Sequence, residues 1–209
     1  MGLTIMCCRY WFDESPELRP FVEAMNRSPL MERFSGGAEI VTSGEVRPTN
    51  VAPVIASDKQ GRRAVYPMKW GFSGKSLLIN ARTESAAAKP TFKEAWQAHR
   101  CIVPASAYFE WVHMTDSRGR KRTGPKYRIQ PAEGQLWMCG LYRVENGLPA
   151  FVILTRDAAE SLRFIHDRMP LMLPEPYVGE WIRPDATPET LLDFAQTEMT
   201  YASETPALC

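Results

Sequence analysis

The sequence predicts a single α+β domain with a curled, mostly antiparallel β-sheet and a few helices, and three observations predict it. Short apolar runs recur along the chain: "EIVT", "VIAS", "AVYPM", "CIVP", "AYFEW", "KYRI", "LWMCGLY" and "AFVILT". Each is bounded by Gly, Pro, Asn or charge clusters, the pattern of short strands joined by turns. Helical spacing surfaces in only a few places, and no repeat, low-complexity tract or linker divides the 209 residues, a length that one hydrophobic core accommodates.

Taken in order, Ser15 and Pro16 offer an N-cap and first-turn proline for a helix running towards Met25, which Pro20 makes short or irregular. Strands follow at "EIVT", "VIAS" and "AVYPM", then a helix at "TFKEAWQAH" and strands at "CIVP" and "AYFEW". The hydrophilic stretch "HMTDSRGRKRTGPKYRI" carries Arg118, Arg120, Lys121, Arg122, Lys126 and Arg128 between two strands. It reads as a solvated hairpin tip, and as a contact surface only if other features point to a phosphate backbone. After "LWMCGLY" and "AFVILT", helical spacing returns in "DAAESLRFIH", and Thr187 with Pro188 starts a last helix at "TPETLLDFAQ".

Charge excludes one class of explanation. Lys plus Arg number 25 against 24 Asp plus Glu, a formal net charge of +1, so any attraction to nucleic acid has to come from local patches. The five cysteines, Cys7, Cys8, Cys101, Cys139 and Cys209, form an odd set without repeated pair spacing. No apolar stretch has the length of a signal or membrane-spanning segment. These features fit a reduced cytoplasm and no membrane association.

Several stretches concentrate chemistry. "KWGF" holds Trp70, and "INARTES" brings Asn80, Arg82 and Glu84 together; an amide beside a guanidinium suits oxyanion or phosphate recognition, and equally a turn and its surface. In "PASAYFEWV", period-two alternation sends Tyr108 and Glu110 to one face. A carboxyl among apolar side chains holds its proton more readily, as acid/base catalysis requires, whereas one on an edge strand in water does not. "RFIHDRMPLML" supplies His166 between Ile165 and Asp167, with Arg168 next, while His99 and His113 read as ordinary surface residues. No Cys/His pair has ligand-like spacing, so neither a metal nor a cofactor is expected.

The order of these stretches resembles the SRAP family (SOS-response-associated peptidase, or abasic-site processing proteins). "MCCRY" resembles its Met-Cys-Gly-Arg-Phe opening, "RPTNVAPV" its Tyr-Asn-x-Ala-Pro segment, "KWGF" its Trp-Gly, "NARTES" its Asn-Ala-Arg-x-Glu, "YFEW" its Phe-Glu-Trp and "IHDRMP" its His-Asp-Arg-Met-Pro. The resemblance implies an SRAP-like, barrel-like sheet spanning residues 6–209, residues 1–5 being a leader or mis-assigned start. It implies a protein that binds single-stranded DNA at abasic sites; nothing in the sequence demands more than a monomer. In the family the initiator methionine is removed, and the exposed cysteine joins the ring-opened aldehyde as a thiazolidine. An α-amine has a pKa of about 7.7–8.0 and is partly neutral near pH 7; a thiol on the same residue closes the five-membered ring at very high effective concentration.

Carried across the matching motifs, the resemblance gives Cys7 the amine and thiol, Asn80 the positioning of sugar or cysteine, and Glu110 the proton transfers of sugar opening and imine formation. His166 handles protons at the sugar hydroxyl and assists reversal; Arg9, Arg82 and Arg168 hold phosphates, and Trp70 presents a flat face to a base. The peptidase label fits a chain that takes part in its own maturation. Three departures stand out: Cys8 replaces the glycine, "MGLTI" precedes Met6, and "MTYASETPALC" replaces the Val-Ser-x-x-Val-Asn ending. While residues precede it, the Cys7 nitrogen is an amide and cannot attack a carbonyl. Two rival functions remain: a cysteine hydrolase using Cys7 or Cys8 with His166, and a noncovalent single-strand binding module built on Trp70 and the arginines.

Overall fold

The structure is a computed structural model that describes residues 8–34, 37–116 and 118–204. Twelve strands are found among them: β1 (Arg9–Phe12), β2 (Gly44–Val46), β3 (Val51–Ser57), β4 (Arg63–Trp70), β5 (Asn80–Arg82), β6 (Arg100–Ala105), β7 (Ala107–Thr115), β8 (Lys121–Gln130), β9 (Leu136–Glu145), β10 (Leu148–Asp157), β11 (Arg168–Pro170) and β12 (Thr200–Ser203). Helices α1 (Arg19–Asn26), α2 (Met31–Phe34), α3 (Thr83–Ala86), α4 (Pro90–Ala98) and α5 (Val178–Trp181) lie between them.

Strands β10, β4, β3, β6 and β9 pair in that order, and β9 pairs back onto β10. The expected curling therefore goes to full closure, which leaves no unpaired edge within the ring. Strand β10 is the hub. Along one edge it takes β9 at Leu148–Ile153 and then β11 at Thr155–Asp157. Along the other it takes β4 at Ala150 and Phe151 and then β5 at Ile153–Thr155, both parallel. A strand flanked on both edges and covered on both faces reads as an unbroken apolar run, which accounts for "AFVILT". The second sheet, in the order β12-β8-β7-β1-β2, is antiparallel throughout.

One apolar cluster joins the two sheets through Tyr10, Trp70, Tyr108 and Phe151. Another packs Phe92 and Trp96 of α4 and Trp181 of α5 onto the barrel. Arg100 is buried between them, 1% exposed, and its guanidinium donates to the carbonyls of Trp96, Gln97, Trp181, Arg183 and Ala186. That fork satisfies the carbonyls left open at the end of α4 and holds the next turn against it.

Several expected elements are corrected. Ser15 makes its own turn, its carbonyl accepting from Leu18 and Arg19 at 3.1 and 2.9 Å. The first helix starts only at Arg19, which puts Pro20 in its first turn, where a missing N–H costs nothing. "EIVT" yields an isolated bridge between Ile40 and Val51, and the strand forms at Gly44–Val46. "DAAESLRFIH" keeps only a 3-10 turn at Glu160–Leu162. Its ends are tied together by the Ala158 N–H donating to the Asp167 carbonyl at 2.9 Å, whereas a ten-residue helix would hold them about 15 Å apart. Thr187 and Pro188 do start a helix, of 3-10 type, over Pro188–Phe194. The divergent ending still supplies β12, which pairs with β8 from Thr200 opposite Gln130 to Ser203 opposite Tyr127.

Candidate active site

Glu110 sits on β7 opposite Tyr127 of β8 and is 2% exposed. On its other side β1 runs antiparallel with Arg9 opposite Phe109, so continuing the register by one residue brings Cys8 opposite Glu110. Cys8 is half-buried. Burial raises its thiol pKa; Arg9 opposes the rise, and the neighbouring Glu110 charge adds to it. Cys7, the residue expected to carry the chemistry, lies outside the described residues.

His166 comes from the loop that leads into β11. Its Nδ1 lies 2.9 Å from the Arg168 backbone N–H and 2.8 Å from the Asp167 carboxylate. Burial lowers its pKa below the ordinary histidine value; Asp167 opposes this, while His113 and Arg168 add to it. One nitrogen thus serves two states: neutral imidazole accepts the Arg168 N–H at Nδ1, and imidazolium donates from Nδ1 to Asp167. That is a pair of supports suited to a group that gives and takes protons.

His113 is exposed, as a surface residue is expected to be, yet it is not isolated. Its ring packs edge-on against His166, centroids 5.4 Å apart, and one polar atom each of Glu110, His113 and His166 lie within 4.8 Å of one another. The ladder beside His113 is irregular. Trp111 pairs with Lys126 but His113 with Thr123, so β8 carries one extra residue there, beside Gly124 and Pro125. A proline has no N–H for the ladder, and such a bulge re-aims the neighbouring side chains.

Asn80 opens β5 and pairs across to Ile153 of β10. Trp70 holds this strand in place. Its Nε1–H donates to the Ile79 carbonyl at 2.9 Å, and the same carbonyl accepts the Ile153 N–H at 3.1 Å. The indole is 0% exposed, packed on Phe151 and Tyr10. Its expected role as a stacking face for a base is therefore corrected: no part of the ring is open to a ligand.

The arginines divide. Arg168 is engaged by Glu84 at 2.7 Å and by Asp157, and it also donates to the Thr155 carbonyl at 2.8 Å. Burial opposes its charge, but these carboxylates outweigh burial and raise its pKa. The guanidinium expected at a phosphate instead ties α3 to the loop that carries His166. Arg9 pairs with Glu45 at 3.1 Å and donates to the Cys8 carbonyl at 2.9 Å, steadying the segment next to Cys7. Arg82 is exposed and takes part in none of the ion pairs found among the described residues. In the basic hairpin Arg120 and Arg122 close on Asp116, and Lys126 on Glu45 and Glu204, so much of its charge is met internally.

One surface went unseen in the sequence. Tyr127, Phe164 and Tyr201, from β8, the His166 loop and β12, touch ring to ring at centroid distances of 5.1–5.9 Å. Phe164 and Tyr201 are 50% and 46% exposed. Tyr127 stands opposite Glu110, and Phe164 is two residues before His166. A separate cleft of about 400 Å³, lined by Arg33, Lys69 and Glu145, contains none of the candidate side chains.

The family model described as SOS response associated peptidase (SRAP) matches residues 6–205. The chain belongs to the SRAP family. Among its relatives, abasic site processing protein YobE of Bacillus subtilis (strain 168) is 31% identical over 182 residues, 76% of this chain and 78% of that protein. Abasic site processing protein YedK of Escherichia coli (strain K12) is 33% identical over 159 residues, 70% and 69% of the two chains. A solved protein from Bacteroides thetaiotaomicron superposes with a TM-score of 0.71 at 22% identity, covering 96% of this chain and 93% of its own. It shares the fold. The SRAP match opens at Met6, the residue before Cys7.

Proposed function

We propose that this chain senses abasic sites in single-stranded DNA and caps them covalently through Cys7. One observation carries the reading: two proton-transfer groups, Glu110 and His166, meet within 4.8 Å, and the β1–β7 register, extended by one residue beyond Arg9, sets Cys8 opposite Glu110. One peptide unit, about 3.8 Å between Cα atoms, separates Cys8 from Cys7. Family membership and the abasic-site names of its relatives support the substrate.

Removal of the residues through Met6 frees the Cys7 amine. The amine adds to the sugar aldehyde; Glu110 delivers the proton with which the hydroxyl leaves as water, and an imine remains. The Cys7 thiol then adds across the imine, sulfur to carbon and proton to nitrogen, closing the thiazolidine with a net loss of one water. His166 exchanges protons at the sugar hydroxyl, and Asn80 orients the sugar. Arg82 is the open cation for a phosphate, and the aromatic trio of Tyr127, Phe164 and Tyr201 takes the stacking role that buried Trp70 cannot fill.

The cysteine-hydrolase reading is weaker for Cys8, whose thiol is pushed towards the protonated form when a nucleophile needs the opposite shift. The test uses single-stranded DNA with one abasic site on a denaturing gel. The chain beginning at Cys7 shifts the DNA, and the chain beginning at Met1 does not unless it loses its leader. Cys7→Ala gives no durable band. A band of equal yield from a permanently blocked N-terminus overturns the proposal.

A further inference from the structure

We propose that Glu110, His113 and His166 form a binding site for a divalent transition-metal ion of the Zn²⁺ class, and that metal bound there excludes abasic DNA. The second half rests on the functional reading above; the first does not. Two imidazoles and one carboxylate, with coordination positions left open, favour Zn²⁺ and its neighbours over Mg²⁺ or Ca²⁺. The ligand atoms lie within 4.8 Å of one another. Bonds of about 2.0–2.2 Å at tetrahedral angles set ligand atoms about 3.4 Å apart, so the widest pair must close by at most about 1.4 Å. The freest of the three is placed to move: His113 is exposed, on the outer part of β7, whereas Glu110 and His166 are 2% and 7% exposed.

The support around His166 fits as well. A metal at Nε2 requires the neutral ring to carry its proton on Nδ1, exchanging the Arg168 N–H contact at 2.9 Å for donation to Asp167 at 2.8 Å. A carboxylate holding the far nitrogen is the usual second support of a metal-bound histidine. The buried side of the cluster keeps water out, and the His113 side leaves an entry path. An ion there occupies the carboxylate and the imidazole that the capture reaction uses, so metal and aldehyde compete.

The test begins with the Met1-initiated chain carrying Cys7→Ser and Cys8→Ser, so that no thiolate contributes. Co²⁺ titration is expected to give one bound ion per chain with d–d absorption typical of nitrogen and oxygen ligands, displaced by Zn²⁺. His113→Ala, at an exposed position, is expected to keep the fold by circular dichroism and to weaken Co²⁺ binding at least tenfold. Unchanged affinity in His113→Ala, or no stoichiometric binding, overturns the site. In the Cys7-initiated chain, Zn²⁺ is expected to suppress cross-linking, EDTA to restore it, and His113→Ala to require at least tenfold more Zn²⁺. Equal suppression in both chains overturns the exclusion. A chain that binds Co²⁺ through His113 but makes no cross-link in metal-free buffer refutes the functional reading while upholding the metal site. One that cross-links but binds no Co²⁺ refutes the metal site alone.

Discussion

Trp70→Phe separates a structural anchor from a DNA contact. The substitution keeps an aromatic ring against Phe151 and Tyr10, but it deletes the Nε1–H bond to the Ile79 carbonyl at 2.9 Å. A buried hydrogen bond of this kind contributes about 1 kcal/mol, and the loss is moderated because Ile79 still accepts from Ile153. The smaller ring forfeits a further 1–2 kcal/mol or so of buried apolar contact. The sum, about 2–3 kcal/mol, corresponds to a fall in Tm of about 4–12 °C for a chain of this size. Calorimetry reads the stability, and anisotropy with undamaged single-stranded DNA reads noncovalent affinity. Tm should fall, affinity should stay within twofold of the parent, and cross-linking should slow because β5 and Asn80 lose a tether. An unchanged Tm with weakened DNA binding would refute the anchoring argument.

Three further outcomes follow from other parts of the molecule. Phe164→Ala and Tyr201→Ala, at exposed positions, should leave Tm nearly unchanged and weaken single-strand binding about 5- to 100-fold each, the worth of about 1–2.7 kcal/mol of base stacking; anisotropy checks it. Because His166 has a pKa below its free value of about 6.5, the folded chain binds fewer protons there than the unfolded chain. Its contribution to stability is complete above about pH 6.5 and is lost as pH falls through the folded pKa, so Tm should drop on acidification and His166→Gln should flatten that slope. Gly71 holds φ +113°, where an added Cβ would also meet Leu77 Cδ1 at 2.7 Å; Gly71→Ala should cost about 1–3 kcal/mol in urea unfolding.

Local patterns were legible where local forces decide. The apolar runs mark seven of the strands well, and the helix at α4 follows its own periodicity. The ordered motifs pointed to Glu110 and His166, which the fold brings together. What stayed hidden depends on partners far along the chain. "DAAESLRFIH" has helical spacing, yet a contact between its two ends overrides it. Trp70 looks like any tryptophan beside a glycine, and only the closed barrel shows that it is sealed against Phe151. His113 is three residues from Glu110, a spacing that strict alternation sends to the opposite face, so strand periodicity alone does not reveal the cluster. Arg168 carried the right charge for a phosphate, but Glu84 and Asp157, distant in sequence, claim it.

The most direct test of the central claim is a mass measurement on the N-terminal peptide of the DNA adduct, digested after treatment with a thiol-alkylating reagent. The expected peptide begins at Cys7 and is heavier by the sugar remnant less one water, with Cys7 unalkylated because its sulfur is inside the ring. An adduct on another residue, or one in which the Cys7 thiol accepts the alkylating group, would contradict that claim.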